Sequence, residues 1–162
     1  MKSKIRNSIF NSIYLLIIIY LITFIPSFFG YKPLVVISAS MEPKIKVGSI
    51  IYYHDKDINS FNKKDILVYR INNHTVVHRI IEISEDGFIT KGDANRDIDQ
   101  NEVYKNQVLG KSNDWCIPFL GYYINFIYHH KFLLYLCIVI LAIDLHNEDY
   151  HKKGKFKNEK NV

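Results

Sequence analysis

The chain has 162 residues, of which 48% are hydrophobic and 23% charged, a composition that argues against a disordered chain. The net charge of +5 comes mainly from the two ends, because residues 1–31 and 132–162 together carry eight Lys and Arg against four Asp and Glu. The middle carries thirteen basic residues against twelve acidic ones and is nearly neutral. This balance argues against a nucleic-acid-binding domain, whose basic side chains should cluster on the folded surface. Two cysteines cannot form a disulfide framework, and no zinc-type Cys/His spacing occurs.

The first predicted element is a membrane helix. Between Arg6 and Lys32 lie 25 residues without a formal charge, and about 20 helical residues cross a hydrocarbon core of about 30 Å. A cleaved signal peptide would need a small-x-small site after the apolar run, whereas Phe28 and Phe29 stand there. A retained anchor is therefore favoured over a removed peptide.

The middle of the chain is predicted to be mainly β. Short alternating segments rich in Val, Ile and Tyr are separated by turn residues, and no long helical period appears between Lys32 and Asp114. Neither glycine motif of nucleotide-binding α/β domains is present. The predicted strands are Tyr31–Ser38, Ser49–Tyr53, Asp65–Ile71, Thr75–Ile83 and Phe88–Lys91, with turns at Asn72-Asn73 and Glu85-Asp86-Gly87.

A second apolar stretch covers Phe132–Ile143. Twelve residues are too short to span a bilayer, but residues 128–131 could extend the helix while Lys131 snorkels to the headgroups. This favours a shallow or tilted span. The alternative is a helix that lies in the interface or packs on the domain.

Basic residues at both ends set the predicted topology. Three precede the first apolar run and five lysines follow the second, so the positive-inside rule places both ends in the cytoplasm. The predicted organisation is a cytoplasmic N-terminus and membrane anchor at 1–31, an extracytoplasmic β-domain at 32–128, a second membrane helix at 129–146 and a basic cytoplasmic tail at 147–162.

Two serines, Ser38 and Ser40, follow an apolar segment and precede Pro43. A serine projecting from a bend there could act as a nucleophile, provided that an adjacent base takes its proton. The alternative is that these small residues only form a tight turn.

His78 lies between hydrophobic residues of the longest predicted strand. A partly desolvated imidazole oriented by a carboxylate could accept a proton near neutrality. The alternatives are a hydrogen-bonded structural histidine or a metal ligand, because His74 shares its strand face and could join His54 or a carboxylate. No spacing enforces the metal site.

The segment after the fifth predicted strand carries three carboxylates, Asp93, Asp97 and Asp99, around a turn at Gly92. One of them could face His78. Closely spaced Asp and Asn oxygens also suit calcium, although neither the glycine nor the terminal glutamate of an EF-hand is in register. A solvated loop is the third possibility.

Together and in this order, the anchor, SASMEP at 38–43, VVHRI at 76–80 and TKGDAN at 90–95 resemble the type I signal peptidases, in the endoplasmic-reticulum branch with archaeal and spore-former homologues. The resemblance covers about residues 8–145. It implies Ser40 as nucleophile and His78 as general base, where the usual bacterial branch has lysine. It favours Asp99 over Asp93 and Asp97 as the acid that orients His78. It gives Asp93 a supporting role.

The resemblance also implies a function, a fold and partners. The expected activity is that of a membrane-bound serine endopeptidase that removes signal peptides from secretory preproteins after small residues at −1 and −3, on the extracytoplasmic side of the cell membrane. The expected fold is of coiled antiparallel sheets, without metal or organic cofactor. The expected partners are preproteins and the lipid bilayer, with no nucleic acid and with accessory membrane subunits left open.

Two further details come with the resemblance. The oxyanion donors would be the Ser40 backbone N–H and the Ser38 hydroxyl. Two positions depart from the family pattern, since Ser49 replaces an aspartate after Gly48 and Lys64 replaces a glycine before Asp65. Both departures question local turn geometry.

Two alternatives belong to other classes. The first is a non-enzymatic, membrane-tethered peptide-binding β-domain in which Ser40 and His78 are structural. The second is a self-cleaving serine-lysine peptidase, which is disfavoured because no lysine occupies the base position and because of the membrane anchors.

Overall fold

The computed structural model describes residues 2–55 and 57–159, with the side chains of residues 4–55 and 57–146. Two compact units are present, a helical one formed by the residues up to 19 and from 126 onward, and a sheet unit over residues 20–125. The side chains of the predicted basic tail at 147–162 lie outside the described residues.

The first helix, α1 (Lys2–Thr23), is followed by a 3₁₀ helix at Ile25–Phe29. Together they form a segment at Lys4–Phe29 that is long and apolar enough to cross a membrane. Gly30 ends the segment with φ of 82°, a left-handed conformation that glycine adopts at little cost. The predicted N-terminal apolar helix is therefore present as a candidate membrane span.

The C-terminal region holds two helices, α2 (Leu120–His129) and α3 (Lys131–Glu159). They are bent by 89° at His130, and the pair is apolar enough to form one broken span or a re-entrant loop. The break falls inside residues 128–131, which the sequence suggested as an extension of the apolar stretch, so the second membrane helix at 129–146 stays a prediction. The predicted apolar C-terminal helix itself is present as α3.

The described part of the sheet unit forms one antiparallel sheet of seven strands, which confirms the predicted mainly β class. The strand order is β1-β2-β7-β3-β4-β5-β6, so the last strand along the chain lies between β2 and β3. The strands are β1 (Lys32–Val35), β2 (Ile50–His54), β3 (Ile66–Ile71), β4 (His74–Ile83), β5 (Gly87–Lys91), β6 (Val103–Tyr104) and β7 (Val108–Ile117).

Strand β7 is the main element that the sequence pattern does not predict. Its sequence, VLGKSNDWCI, contains Gly, Asn and Asp, which are poor strand formers. Pairing with β2 on one side and β3 on the other overrides this local preference. Gly110 permits the close approach, because a Cβ there would lie 2.2 Å from the His54 carbonyl oxygen.

The first predicted strand ends earlier than expected. The pattern predicts Tyr31–Ser38, whereas β1 stops at Val35. Val36 still pairs its N–H with the Ser49 carbonyl at 2.9 Å and its carbonyl with the Gly48 N–H at 2.8 Å, and the chain then turns away. The turn carries the next residues, including Ser40, off the edge of the sheet.

The two faces of β3 are buried in two hydrophobic clusters, because successive side chains of a strand point to opposite sides. Met41 is 1% exposed and belongs to the cluster beneath the Ser40 turn, so the core anchors that turn directly. One cluster contains Phe61, Leu67, Tyr69, Ile80, Phe88 and Val103, and the other contains Val36, Met41, Ile45, Ile51 and Ile66.

The predicted hairpin between β3 and β4 is confirmed. Asn72 and Asn73 have φ of 47° and 66°, and Ile71 pairs with His74 across them. Two consecutive residues with positive φ define the two-residue turn that matches the twist of the strands, and asparagine tolerates this conformation. The hairpin fixes the register of the strand that carries His78.

Lys64 adopts φ of 77°, at the position where the family resemblance leads one to expect glycine. A residue with a side chain is strained by about 1–2 kcal/mol in this left-handed region, and glycine removes that strain. Glycine also makes the unfolded chain more flexible, which offsets up to about 1 kcal/mol of the gain in stability. Lys64→Gly is therefore expected to raise the free energy of unfolding by about 0.5–1 kcal/mol, measured by chemical denaturation in detergent.

Lys63→Gly is the matched control, because Lys63 is exposed in the same turn and does not have a positive φ. It is expected to lower the free energy of unfolding. Equal destabilisation by the two glycines would show that the backbone conformation of Lys64 carries no strain.

Candidate active site

The turn after β1 holds Ser40 by its main chain. The Ala94 N–H donates to the Ser40 carbonyl at 2.8 Å. A Cβ at Gly92 would lie 2.6 Å from the same carbonyl oxygen, so only glycine lets the loop after β5 come this close. With Met41 buried on the other side, the Ser40 side chain is left half-exposed and in a fixed place.

His78 lies in β4 and is buried, at 9% exposure. Its Nε2 is 3.1 Å from the Ser40 Oγ, and its Nδ1 is 2.6 Å from the Asp99 Oδ2. An ionised carboxylate can only accept, so Nδ1–H donates to Asp99 and Nε2 is left to accept the serine proton. The arrangement is the hydrogen-bond geometry of an activated hydroxyl.

Asp99 reaches the histidine because the loop after β5 folds back on that strand. The Asp99 N–H donates to the Thr90 carbonyl at 2.8 Å. Its Oδ2 also accepts hydrogen bonds from the Thr90 hydroxyl at 2.6 Å and from the Tyr69 hydroxyl at 3.2 Å. Main-chain and side-chain contacts together place this carboxylate behind the imidazole.

Of the three candidate carboxylates, Asp99 is the one that hydrogen-bonds to His78. Asp93 instead receives two hydrogen bonds from Arg79, at 2.8 and 2.7 Å, and these bonds raise the pKa of Arg79 above its ordinary value. Asp97 is exposed to solvent. Asp99, the acid that the resemblance favours, is the one beside the imidazole, whereas the partner of Asp93 is Arg79, the residue after the histidine.

Arg79 also joins the loop to the neighbouring strands. Besides Asp93, its guanidinium donates to the Lys64 carbonyl at 2.8 Å and to Asp114 at 3.3 Å. The planar guanidinium can serve several acceptors at once. One side chain therefore ties the loop after β5, the turn before β3 and strand β7 beside the histidine.

Ser38 lies on the exposed side of the Ser40 turn. Its Oγ is 3.5 Å from the Ser40 Oγ, and the residue is exposed. A hydroxyl at this distance can turn its O–H toward a group that approaches Ser40 from solvent.

A groove of about 290 Å³ leads to these groups. Among the described residues, β1 pairs in the sheet only with β2, and the first half of β4 pairs only with β3. Two strand edges with unused backbone groups therefore face the groove. Its lining residues are Leu34–Ser38, Ser40, Met41 and Asn73–His78.

Among the described residues, no three His, Cys, Asp or Glu side chains come together as a metal site. His54 packs edge-on against Tyr31, with ring centroids 4.9 Å apart, while His74 lines the groove.

Sequence reasoning missed Tyr69 and Thr90. Both are buried, at 2% and 0% exposure, and burial raises the pKa of the Tyr69 phenol well above its ordinary value. The only sequence signal is that Thr90 begins the TKGDAN motif. Tyr69 comes from a different strand, so its place behind the histidine depends on strand pairing.

Comparison with known proteins identifies the family of the chain. No protein-family model matches the chain. The chain is 32% identical to signal peptidase I W of Bacillus subtilis over 128 residues, which covers 70% of this chain and 67% of that protein. The chain belongs to the signal peptidase I family.

Two other relatives place this signal peptidase in the branch that the motifs predict. The catalytic subunit SEC11 of the signal peptidase complex of Candida albicans is 29% identical over 129 residues, covering 70% of this chain and 76% of that protein. A putative human subunit, SEC11B, is 30% identical over 104 residues, covering 56% and 62% respectively. The resemblance to the endoplasmic-reticulum and spore-former branch is confirmed.

Asp99 and Asp93 are expected to respond differently to the same substitution. Asp99→Asn removes the negative charge beside the His78 ring, so with His78 as the base that the family resemblance implies, peptide cleavage is expected to fall by about 10³-fold or more. Asp93→Asn weakens the paired hydrogen bonds that Arg79 donates to this carboxylate. It is expected to lower the melting temperature while changing the cleavage rate much less.

The comparison needs preprotein cleavage rates and thermal unfolding of both variants in the same detergent. Equal losses of turnover at similar melting temperatures would contradict the assignment, because the two carboxylates would then serve the reaction alike.

Proposed function

We propose that this signal peptidase is a membrane-bound serine endopeptidase that removes signal peptides from translocated preproteins, with Ser40 as nucleophile and His78 as general base. The observation that carries the proposal is the continuous hydrogen-bond chain from the Ser40 Oγ through both His78 nitrogens to Asp99, at 3.1 and 2.6 Å. The family membership supports peptidase activity, and the geometry supports these residues for it.

In the proposed reaction, the Ser40 Oγ bonds to the scissile carbonyl carbon while its proton passes to the His78 Nε2. The protonated imidazole, stabilised by Asp99, then gives that proton to the nitrogen of the leaving amine as the C–N bond breaks. Water then attacks the ester carbon while His78 accepts its proton, and His78 returns that proton to the Ser40 Oγ as the ester C–O bond breaks, which restores the enzyme. Asp99 stays ionised throughout.

The oxyanion needs donors that are already in place. The Ser40 backbone N–H is one proposed donor, and the Ser38 hydroxyl is the other, which its position beside the Ser40 Oγ supports. Loss of one such donor typically costs about 3 kcal/mol in the transition state.

The groove supports an extended substrate. A peptide lying between β1 and the first half of β4 could hydrogen-bond to both strand edges, because neither edge is paired on that side among the described residues. Alternate side chains of an extended chain point the same way, so residues −1 and −3 would face the same wall. Apolar side chains such as Leu34, Val36 and Met41 line the groove, which supports small residues there.

Membrane tethering supports the choice of substrate. The candidate span ends at Phe29 and β1 begins at Lys32, so two residues separate them. We propose that the sheet unit lies on the extracytoplasmic side of the cell membrane, as the basic ends favour. Relatives named as catalytic subunits of a signal peptidase complex support accessory membrane subunits as partners.

Ser40→Ala is expected to reduce cleavage of a model preprotein in liposomes by at least about 10⁴-fold, because no other group forms the ester. The matched control is Ser60→Ala, which also removes a serine hydroxyl but from a 3₁₀ turn in the sheet unit. It is expected to leave cleavage unchanged. Full cleavage by Ser40→Ala would contradict the role of Ser40, whereas the absence of cleavage by the folded wild-type protein would favour the non-enzymatic peptide-binding alternative.

The proposed preference for small residues makes a second prediction. Preproteins with Ala at −1 are expected to be cleaved at least about 100-fold faster than those with Phe, because a bulky ring would clash in a shallow pocket. N-terminal sequencing of the mature product identifies the cleaved bond. Equal rates for the two substrates would show that the pocket does not select small residues.

A further inference from the structure

Two buried hydroxyls converge on the Asp99 oxygen that binds His78. The Thr90 Oγ1 lies 2.6 Å from the Asp99 Oδ2, and the Tyr69 hydroxyl lies 3.2 Å from it. The same tyrosine oxygen is 3.2 Å from the Thr90 hydroxyl and 3.4 Å from the His78 Nδ1. One carboxylate oxygen therefore accepts three hydrogen bonds, from two buried hydroxyls and a buried imidazole, while the Asp99 side chain keeps 21% of its surface exposed.

These hydroxyls are donors at any working pH. Burial raises the pKa of the Tyr69 phenol well above its ordinary value, so the phenol keeps its proton. Thr90 does not titrate and is fully buried. Hydrogen bonds donated to an ionised carboxylate disperse its charge and fix its orientation, so both hydroxyls act on the imidazole through Asp99.

Three other charged side chains on elements beside His78 have polar partners of their own, namely Arg79, Lys91 and Glu42. On the same strand, Arg79 is occupied by Asp93. On β5, the Lys91 Nζ donates to the Arg96 carbonyl at 2.9 Å. In the Ser40 turn, Glu42 accepts from the Val47 N–H at 3.4 Å, and His74 lines the groove at the other end of the strand.

We propose that Tyr69 and Thr90 are positioning residues that hold the Asp99 carboxylate against His78 and reduce the negative charge that the imidazole experiences. The consequence for turnover rests on the proposed function of His78 as base. The consequence for the proton affinity of the imidazole does not. Without either hydroxyl, the carboxylate would hold more of its charge at Oδ2 and bind the imidazolium more tightly, so His78 would lose its proton at a higher pH.

The test uses the full chain in detergent micelles and compares Tyr69→Phe and Thr90→Val, which keep most of the shape and remove the hydroxyl. Both are expected to shift the acidic midpoint of the pH profile of kcat/KM upward by about half a pH unit and to lower kcat about three- to ten-fold. Thr90→Ser keeps a hydroxyl and is expected to restore the wild-type midpoint.

Tyr52→Phe is the matched control. The Tyr52 hydroxyl is also buried, but it donates to the Thr23 carbonyl at 2.9 Å. Its removal is expected to leave the midpoint unchanged. Thermal unfolding of every variant separates a loss of folding from a change in the site. If a tyrosine variant does not fold, the comparison of Thr90→Val with Thr90→Ser still tests the role of the hydroxyl.

A second readout does not need cleavage. The proton NMR titration of His78, with its signal identified by its loss in His78→Gln, is expected to move upward in Tyr69→Phe and Thr90→Val but not in Tyr52→Phe. Wild-type midpoints in the two hydroxyl-deficient variants would overturn the inference. If the wild-type protein did not cleave preproteins, the proposed function would fail, while this titration would still support or overturn the hydroxyl roles.

Discussion

The geometry of the site depends on one imidazole that holds hydrogen bonds on both sides. His78 is 38 residues from Ser40 and 21 residues from Asp99 along the chain, so no local structure can bring these groups together. The contacts are made because β4 pairs with β3 along the segment that carries His78, because the turn after β1 is anchored in the core by Met41, and because the loop after β5 folds back. Loss of any of these three supports would separate the ring from a partner.

The loop after β5 does more than carry the acid. Through Gly92 and Ala94 it contacts the Ser40 carbonyl, through Asp93 it binds Arg79, and through Asp99 it binds His78. One short segment therefore sets the position of the serine and the acid with respect to the histidine between them. This explains physically why a glycine and two carboxylates with different partners are found so close in sequence.

Much of this arrangement could be predicted from sequence, and the remainder has physical reasons. The N-terminal helix and the strands with alternating Val and Ile are predicted because their patterns are local. β7 is not predicted, because its Gly, Asn and Asp become strand only through two neighbours. The choice of Asp99 came from family resemblance, and the residues alone left three acids open. Tyr69 escaped notice because a buried tyrosine in a strand looks like ordinary core until strand pairing places its hydroxyl beside an acid.

The central claim is that Ser40 and His78 act as one unit in breaking the peptide bond. Groups that act as a unit are non-additive when removed. The most direct measurement is single-turnover cleavage of a preprotein, with enzyme in excess, by Ser40→Ala, His78→Ala and the double variant. All three are expected to fall to the same residual rate. A double variant slower than the wild type by the product of the two single losses would show that the two side chains contribute independently, and would contradict this proposal.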